Sequence, residues 1–174
     1  VKIGIVGYAR SGKTTLFNVL ARAHAPTGVA SGAGGVHIGT VQVPDPRLDA
    51  LRDLFEPKKF TPAQIEYVDL AGAGTAREGG AALLPQQITT SDLLLLVVRA
   101  FENPAVAHPD GSVDPRRDLR RFLDELLLKD LAVLEGRLAR LRKAAQVGQK
   151  DAKEELPLLE RCNGALEDSI PLRQ

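Results

Sequence analysis

Gly7-Tyr8-Ala9-Arg10-Ser11-Gly12-Lys13-Thr14 reads G-x-x-x-x-G-K-T. It follows a short apolar run, Ile3-Gly4-Ile5-Val6, and opens a helical pattern, Thr15-Leu16-Phe17-Asn18-Val19-Leu20. A strand, a glycine-rich turn and a helix start in that order form a phosphate cradle. The N–H groups of the turn and of the first helical turn point into one concavity, where the helix dipole adds partial positive charge. Gly7 and Gly12 let the chain curl tightly and approach phosphates without a Cβ in the way. Lys13 is placed to reach the β- and γ-phosphates, and the Thr14 hydroxyl to bind Mg²⁺. The alternative is a glycine turn that merely precedes a helix; strand, spacing and helix together argue against it.

Outward from this stretch, residues 2–6 are expected as a first strand and 14–23 as a first helix. Residues 25–35, rich in Gly, Ala and Ser, read as a mobile loop. Residues 36–43 alternate as a second strand. A short helix then starts with Asp45 as cap and Pro46 at its first position. Leu48, Leu51, Leu54 and Phe55 give it an apolar face, and Pro57 ends it. Residues 64–68 read as a third strand with Asp69-Leu70-Ala71-Gly72 at its C-terminal end. A second glycine-rich loop covers 72–81, a helix follows to Thr90, and 93–98 form an apolar strand. Such alternation predicts an α/β layered sheet.

After an irregular connection over 99–113 the pattern changes. Leu127, Leu131, Leu134, Leu138 and Leu141 recur at the a/d spacing of a coiled coil. Residues 146–149 turn the chain, and Ala152, Leu156, Leu159 and Leu166 continue a matching stripe. Two such helices predict an antiparallel hairpin, which divides the chain into 1–113 and 114–174. The narrow stripe leaves most of the hairpin polar, which favours a projecting arm over a helix pair packed on the sheet. Pro157 is expected to kink the second helix or to mark its start, since an interior proline costs about 3 kcal/mol.

The composition bounds the function. With 174 residues and a net charge of +1, the chain has the size of one domain with an appendage and lacks the excess charge of a strongly cationic nucleic-acid binder. No apolar run approaches the roughly 20 residues needed to span a bilayer. Neither a membrane nor sequence-specific DNA is an expected partner. The single cysteine, Cys162, forms no internal disulfide, and a cytoplasmic setting fits.

Asp69-Leu70-Ala71-Gly72 is D-x-x-G at a strand end. Downstream of a phosphate loop, Asp69 is the candidate for holding Mg²⁺ through water, and the Gly72 N–H for touching the γ-phosphate. Loss of that phosphate would release the following loop, a switch. An Asp that simply ends a strand is the plainer alternative. Gln86 and Gln87 are candidates for placing the attacking water, or else a solvated polar pair. His24, His37 and His108 have no metal-ligand spacing and read as surface or loop residues.

These residues resemble a family. The phosphate loop extended through Thr-Leu-Phe-Asn (15–18), Val-Pro-Asp-Pro-Arg-Leu-Asp (43–49), Val-Asp-Leu-Ala-Gly (68–72) and Val-Val-Arg-Ala-Phe-Glu-Asn (97–103) look like the YchF subfamily of Obg-like P-loop NTPases. Asp-Leu-Ala-Val-Leu-Glu-x-Arg-Leu (130–138) and Lys-Asp-Ala-Lys-Glu-Glu-Leu (150–156) extend the likeness along the chain. The resemblance implies a Ras-like sheet domain flanked by helices with an inserted helical hairpin. It also implies binding of GTP or ATP with Mg²⁺, slow hydrolysis, and a ribosomal partner. On it, Gly7, Ala9, Arg10, Ser11, Gly12, Lys13, Thr14, Thr15 and Gly72 are the nucleotide-binding candidates, Thr14 and Asp69 the metal ligands, and Gln87 the residue that positions water. The family's base-recognition motif and C-terminal TGS domain lie further along than Gln174, so this chain is expected to be an incomplete copy of a longer protein.

There are departures. Where the first switch carries a Mg²⁺-binding Thr, this chain has Ala33; Ala73 follows the family in lacking a catalytic Gln; and Gln87 stands where the family has a catalytic His. Arg10 replaces an Asn that, in related K⁺-dependent NTPases, helps hold a monovalent cation. A guanidinium can pair with phosphate oxygens, so Arg10 is expected to supply the ion's charge. Turnover should then change little when Na⁺ is replaced by K⁺; a strong rise contradicts this role.

Overall fold

The apolar run before the glycine turn becomes an inner strand of a four-stranded sheet. β1 (Lys2–Val6) lies between β3 (Gln64–Leu70) and β4 (Leu93–Leu96), parallel to both, and β2 (Val36–Gln42) adds antiparallel to β3 in the order β2-β3-β1-β4. Parallel neighbours need crossover connections, and helices lie in them: α1 (Lys13–Ala21) follows β1, and α3 (Gln86–Thr89) lies between β3 and β4. The remaining helices are α2 (Pro46–Phe55), α4 (Pro115–Gln146) and α5 (Lys150–Glu167). The computed structural model describes residues 1–25, 35–70 and 86–173, with Gln86 and Gln87 described by their backbone. The expected loop at 25–35 and the second glycine loop therefore lie largely outside the described residues.

Ile5, Val68, Phe17 and Ile88 are the largest apolar side chains fully buried in the sheet unit. α1 packs against β1, β2 and β3. Its approach to β2 depends on Gly39, where a Cβ would stand 2.5 Å from Ala21 Cβ and 3.3 Å from Phe17 Cζ.

The third strand runs two residues further than its apolar pattern suggested. Asp69 still pairs with Ile5 on one side and His37 on the other, and Leu70 pairs with Val36. The fourth stops earlier, at Leu96, although Val97 N still donates to Val6 O at 2.8 Å. α2 begins as expected, with Pro46 at its start and the Asp45 carboxylate accepting from Arg47 N at 3.0 Å. It ends at Glu56 in the left-handed region (φ 41°), just before Pro57. Its apolar stripe is not buried: Leu54 and Phe55 are 73% and 71% exposed.

The chain divides into two compact units, Val1–Pro115 and Arg116–Gln174. In the second, Leu134, Leu138 and Leu166 form a buried cluster, with Leu127, Leu131, Leu156, Leu159 and Cys162 packed against it. Arg137 pairs with Glu155 at 2.8 Å and Arg142 with Glu160 at 3.1 Å, again joining α4 to α5. Gly148, at φ 90°, supplies the left-handed residue of the short connection. Pro157 does not mark the start of the second helix: α5 begins at Lys150 and continues through it. Both Pro157 and Lys153, whose carbonyl loses its helical partner, are exposed, so water can satisfy that group.

Two substitutions separate the contributions in this unit. Leu138→Ala should destabilise it by about 2–5 kcal/mol, the range for emptying a buried Leu site. Arg137→Ala, which breaks a solvent-exposed pair, should cost far less. Denaturant unfolding followed by far-UV circular dichroism checks both; equal losses contradict the packing described.

Candidate functional site

The glycine turn builds a cradle open to an anion. Gly7 has φ 141°, and a Cβ there would collide with the Val97 carbonyl oxygen, so the turn closes against the segment after β4 only with glycine. Arg10 (φ 63°) and Gly12 (φ 99°) also take positive φ. Gly12 caps α1, and no side chain fills that cap or places an acid in the first turn. The N–H groups there are left to a ligand, and an anion suits them. Ser11 is 5% exposed, and its Oγ has no hydrogen-bond partner among the described residues. Ala9 is half-buried and Thr15 exposed on the first turn of α1.

Lys13 is buried under the loop, its Nζ donating to the Tyr8 carbonyl at 2.8 Å. Burial pushes its pKa below the ordinary value, and the negative charge of Asp69 opposes that shift. A buried ammonium bonded to one neutral carbonyl would gain from a phosphate.

Thr14, on the first turn of α1, meets Asp69, at the end of β3. The Thr14 hydroxyl donates to Asp69 Oδ2 at 2.7 Å, while Asp69 is fully buried and its Oδ1 has no hydrogen-bond partner among the described residues. An orphaned carboxylate oxygen beside a hydroxyl is a hard-oxygen donor set that fits Mg²⁺, which takes few protein ligands and completes its shell with water and phosphate. Among the described residues no three His, Cys, Asp or Glu side chains gather into a metal site, and this arrangement does not require one.

Other expected residues stand apart. Arg10 Nη1 donates to the Ala107 carbonyl at 3.2 Å, in the connection after β4. Gly72, Ala33 and Ala73 lie outside the described residues. Gln86 and Gln87 begin α3, and their side chains lie outside what is described.

Two residues were not singled out by sequence reasoning. His37, taken there for a surface or loop residue, places Nδ1 3.3 Å from Asp69 Oδ2. Its cue was register, since an antiparallel partner of the strand-end Asp faces the same side. Arg99 is 3% exposed, donates to the carbonyls of Phe101 (3.0 Å) and Asn103 (3.4 Å), and stacks 4.9 Å from the Phe101 ring centroid. It thereby ties together the Val-Val-Arg-Ala-Phe-Glu-Asn segment (97–103), whose Val97 carbonyl abuts the phosphate loop's first glycine, a role its family likeness did not disclose.

This fold and cradle are those of the P-loop class of proteins. A family model described as 50S ribosome-binding GTPase matches residues 2–135. The ribosome-binding ATPase YchF of Haemophilus ducreyi is 39% identical over 180 residues, covering 99% of this chain and 48% of that protein. Its counterpart in Escherichia coli O157:H7 is 38% identical with the same coverage. The solved structure of the Schizosaccharomyces pombe YchF GTPase superposes with a TM-score of 0.70 at 32% identity, covering 97% of this chain and 47% of that one. The chain belongs to the 50S ribosome-binding GTPase family, as a YchF/Obg-like member. It spans about half the length of the curated relatives it matches.

The buried lysine yields a test of the cradle. Lys13→Met keeps the aliphatic stem and removes the desolvated charge. It should lower affinity for a non-hydrolysable triphosphate analogue by about 100-fold or more, since each 1.4 kcal/mol is a factor of ten, without lowering the melting temperature of the empty protein. Between the lowered Lys13 pKa and the ordinary value of 10.5 the unfolded chain holds the proton that the folded one has lost, so the parent gains stability with rising pH there. Lys13→Met should flatten that gain. A large fall in melting temperature with affinity retained contradicts the assignment.

Proposed function

We propose that this chain binds a purine nucleoside triphosphate, GTP or ATP, with Mg²⁺, and hydrolyses it slowly to drive a switch on the ribosome in the cytoplasm. The observation that carries the reading is the Thr14–Asp69 pair, with its orphaned Oδ1, beside an uncapped helix N-terminus and a buried lysine. The cradle N–H groups and Lys13 would hold the β- and γ-phosphates, and Thr14 and Asp69 would hold the metal. Bound Mg²⁺ supplies neutralisation of charge on the phosphate oxygens. Gln87 would orient a water toward the γ-phosphorus; the bond to the β–γ bridging oxygen breaks, leaving a nucleoside diphosphate and inorganic phosphate. Gly72 would sense the γ-phosphate and release the following segment once it leaves. The names of the relatives support a ribosomal partner, and the helical unit 114–174 is proposed as the arm that meets it.

A second reading is a nucleotide-dependent binding module without hydrolysis. Ala33, in place of the metal-binding threonine of the first switch, and Gln87, in place of histidine, favour it.

Single-turnover hydrolysis with excess protein separates the two. Slow turnover in the parent, abolished in Gln87→Ala with binding kept, is the expected result. Saturable Mg²⁺-dependent binding with no turnover in the parent supports the binding module instead.

A further inference from the structure

We propose that His37 is a positioning residue for the metal site: it orients the Asp69 carboxylate and so sets the protein's affinity for Mg²⁺. The inference rests on the Mg²⁺–nucleotide reading above. Asp69 is fully buried and an ionised carboxylate only accepts, so its orientation is set by the donors around it. Both described side-chain donors act on one oxygen: Thr14 Oγ1 at 2.7 Å and His37 Nδ1 at 3.3 Å both face Oδ2. Oδ1 is left without a partner among the described residues. Rotation of a carboxylate about its last bond is soft and nearly two-fold, so holding Oδ2 decides which way Oδ1 points.

Thr14 cannot do this alone, because its hydroxyl is itself a proposed metal ligand. Among the described residues the polar contact of His37 is to the carboxylate, the place of an outer-shell partner. Its ring is held there. His37 lies directly opposite Asp69 in the β2–β3 ladder, and its ring centroid is 5.9 Å from that of Phe17, itself buried on α1. The contact also joins the strand that follows residues 26–34 to the strand that precedes residues 71–85. A donor at Nδ1 requires the Nδ1–H tautomer or the doubly protonated ring.

The test uses the protein with the imido analogues of ATP and GTP, measuring the Mg²⁺ concentration that half-saturates the tight-binding form, with Mn²⁺ spin resonance as a second readout. His37→Phe keeps a ring beside Phe17 but removes the donor; it should raise that concentration about tenfold, the lower end for outer-shell partners, with analogue affinity in EDTA unchanged. His37→Asn places an amide donor near the Nδ1 position and should restore the parent value to within about threefold. An unchanged Mg²⁺ requirement in His37→Phe overturns the role of His37 alone, and so does a loss that appears equally in EDTA. A parent protein whose analogue binding ignores Mg²⁺ overturns the underlying reading, and this inference with it. Independently of any variant folding, ¹⁵N shifts of the parent's His37 ring should show a proton on Nδ1; a ring protonated only at Nε2 overturns the proposal.

Discussion

A carboxylate that is buried completely must be paired, or its desolvation weighs against the fold. Asp69 is such a group, and the arrangement around it follows from that constraint. The Thr14 hydroxyl pairs it to the start of α1, and His37 pairs it to β2. Helix, middle strand and edge strand therefore meet at one side chain, and each must be in register for the pairing to exist. The ladder gives Asp69 partners on both sides and carries β3 on to Leu70 against β2, so the carboxylate stands at the end of continuous sheet. Its other oxygen, Oδ1, has no hydrogen-bond partner among the described residues.

The same economy runs through the turn. Gly7 lets the chain close against the Val97 carbonyl, and Gly12 opens α1 without a capping side chain. Lys13 is stored beneath, bonded to Tyr8 O and pushed toward its neutral form by burial. Three costs coexist around one loop: an uncapped helix end, a desolvated ammonium and a carboxylate oxygen without a partner among the described residues. One ligand, a metal-bound polyphosphate, would relieve all three. Local strain and unsatisfied groups of this sort gather where a protein is built to bind. In the helical unit Leu134, Leu138 and Leu166 close the core, and the Arg137–Glu155 and Arg142–Glu160 pairs lie at the surface.

Much of this was legible in the residues. The strand–turn–helix order around Gly7–Thr14 announced both the sheet and the cradle, and the leucine stripe announced two packed helices. Asp45 and Pro46 announced the start of α2, because capping is local chemistry. What escaped was non-local. No periodicity says that β3 continues past Val68, because pairing with Ile5 and His37 keeps it going. His37 has no motif around it, and its importance comes from a cross-strand register that only the fold supplies. Arg99 was visible as part of a family marker, yet its buried guanidinium and the carbonyls it organises are a matter of tertiary position. Of the two readings of Pro157, a kink or a helix start, the start fails because an exposed carbonyl at Lys153 and the leucine packing on the other face let the helix run through it.

The central claim is that Thr14 and Asp69 form half of a metal site completed by a nucleotide's phosphates. Equilibrium titration of the parent protein with a non-hydrolysable purine triphosphate analogue, in Mg²⁺ and again in EDTA, tests it most directly. The account predicts saturable binding in both, tighter in Mg²⁺ by about tenfold or more, a difference of at least 1.4 kcal/mol, and the same difference erased in Asp69→Asn. Equal affinity with and without Mg²⁺, or no saturable binding in either, contradicts it.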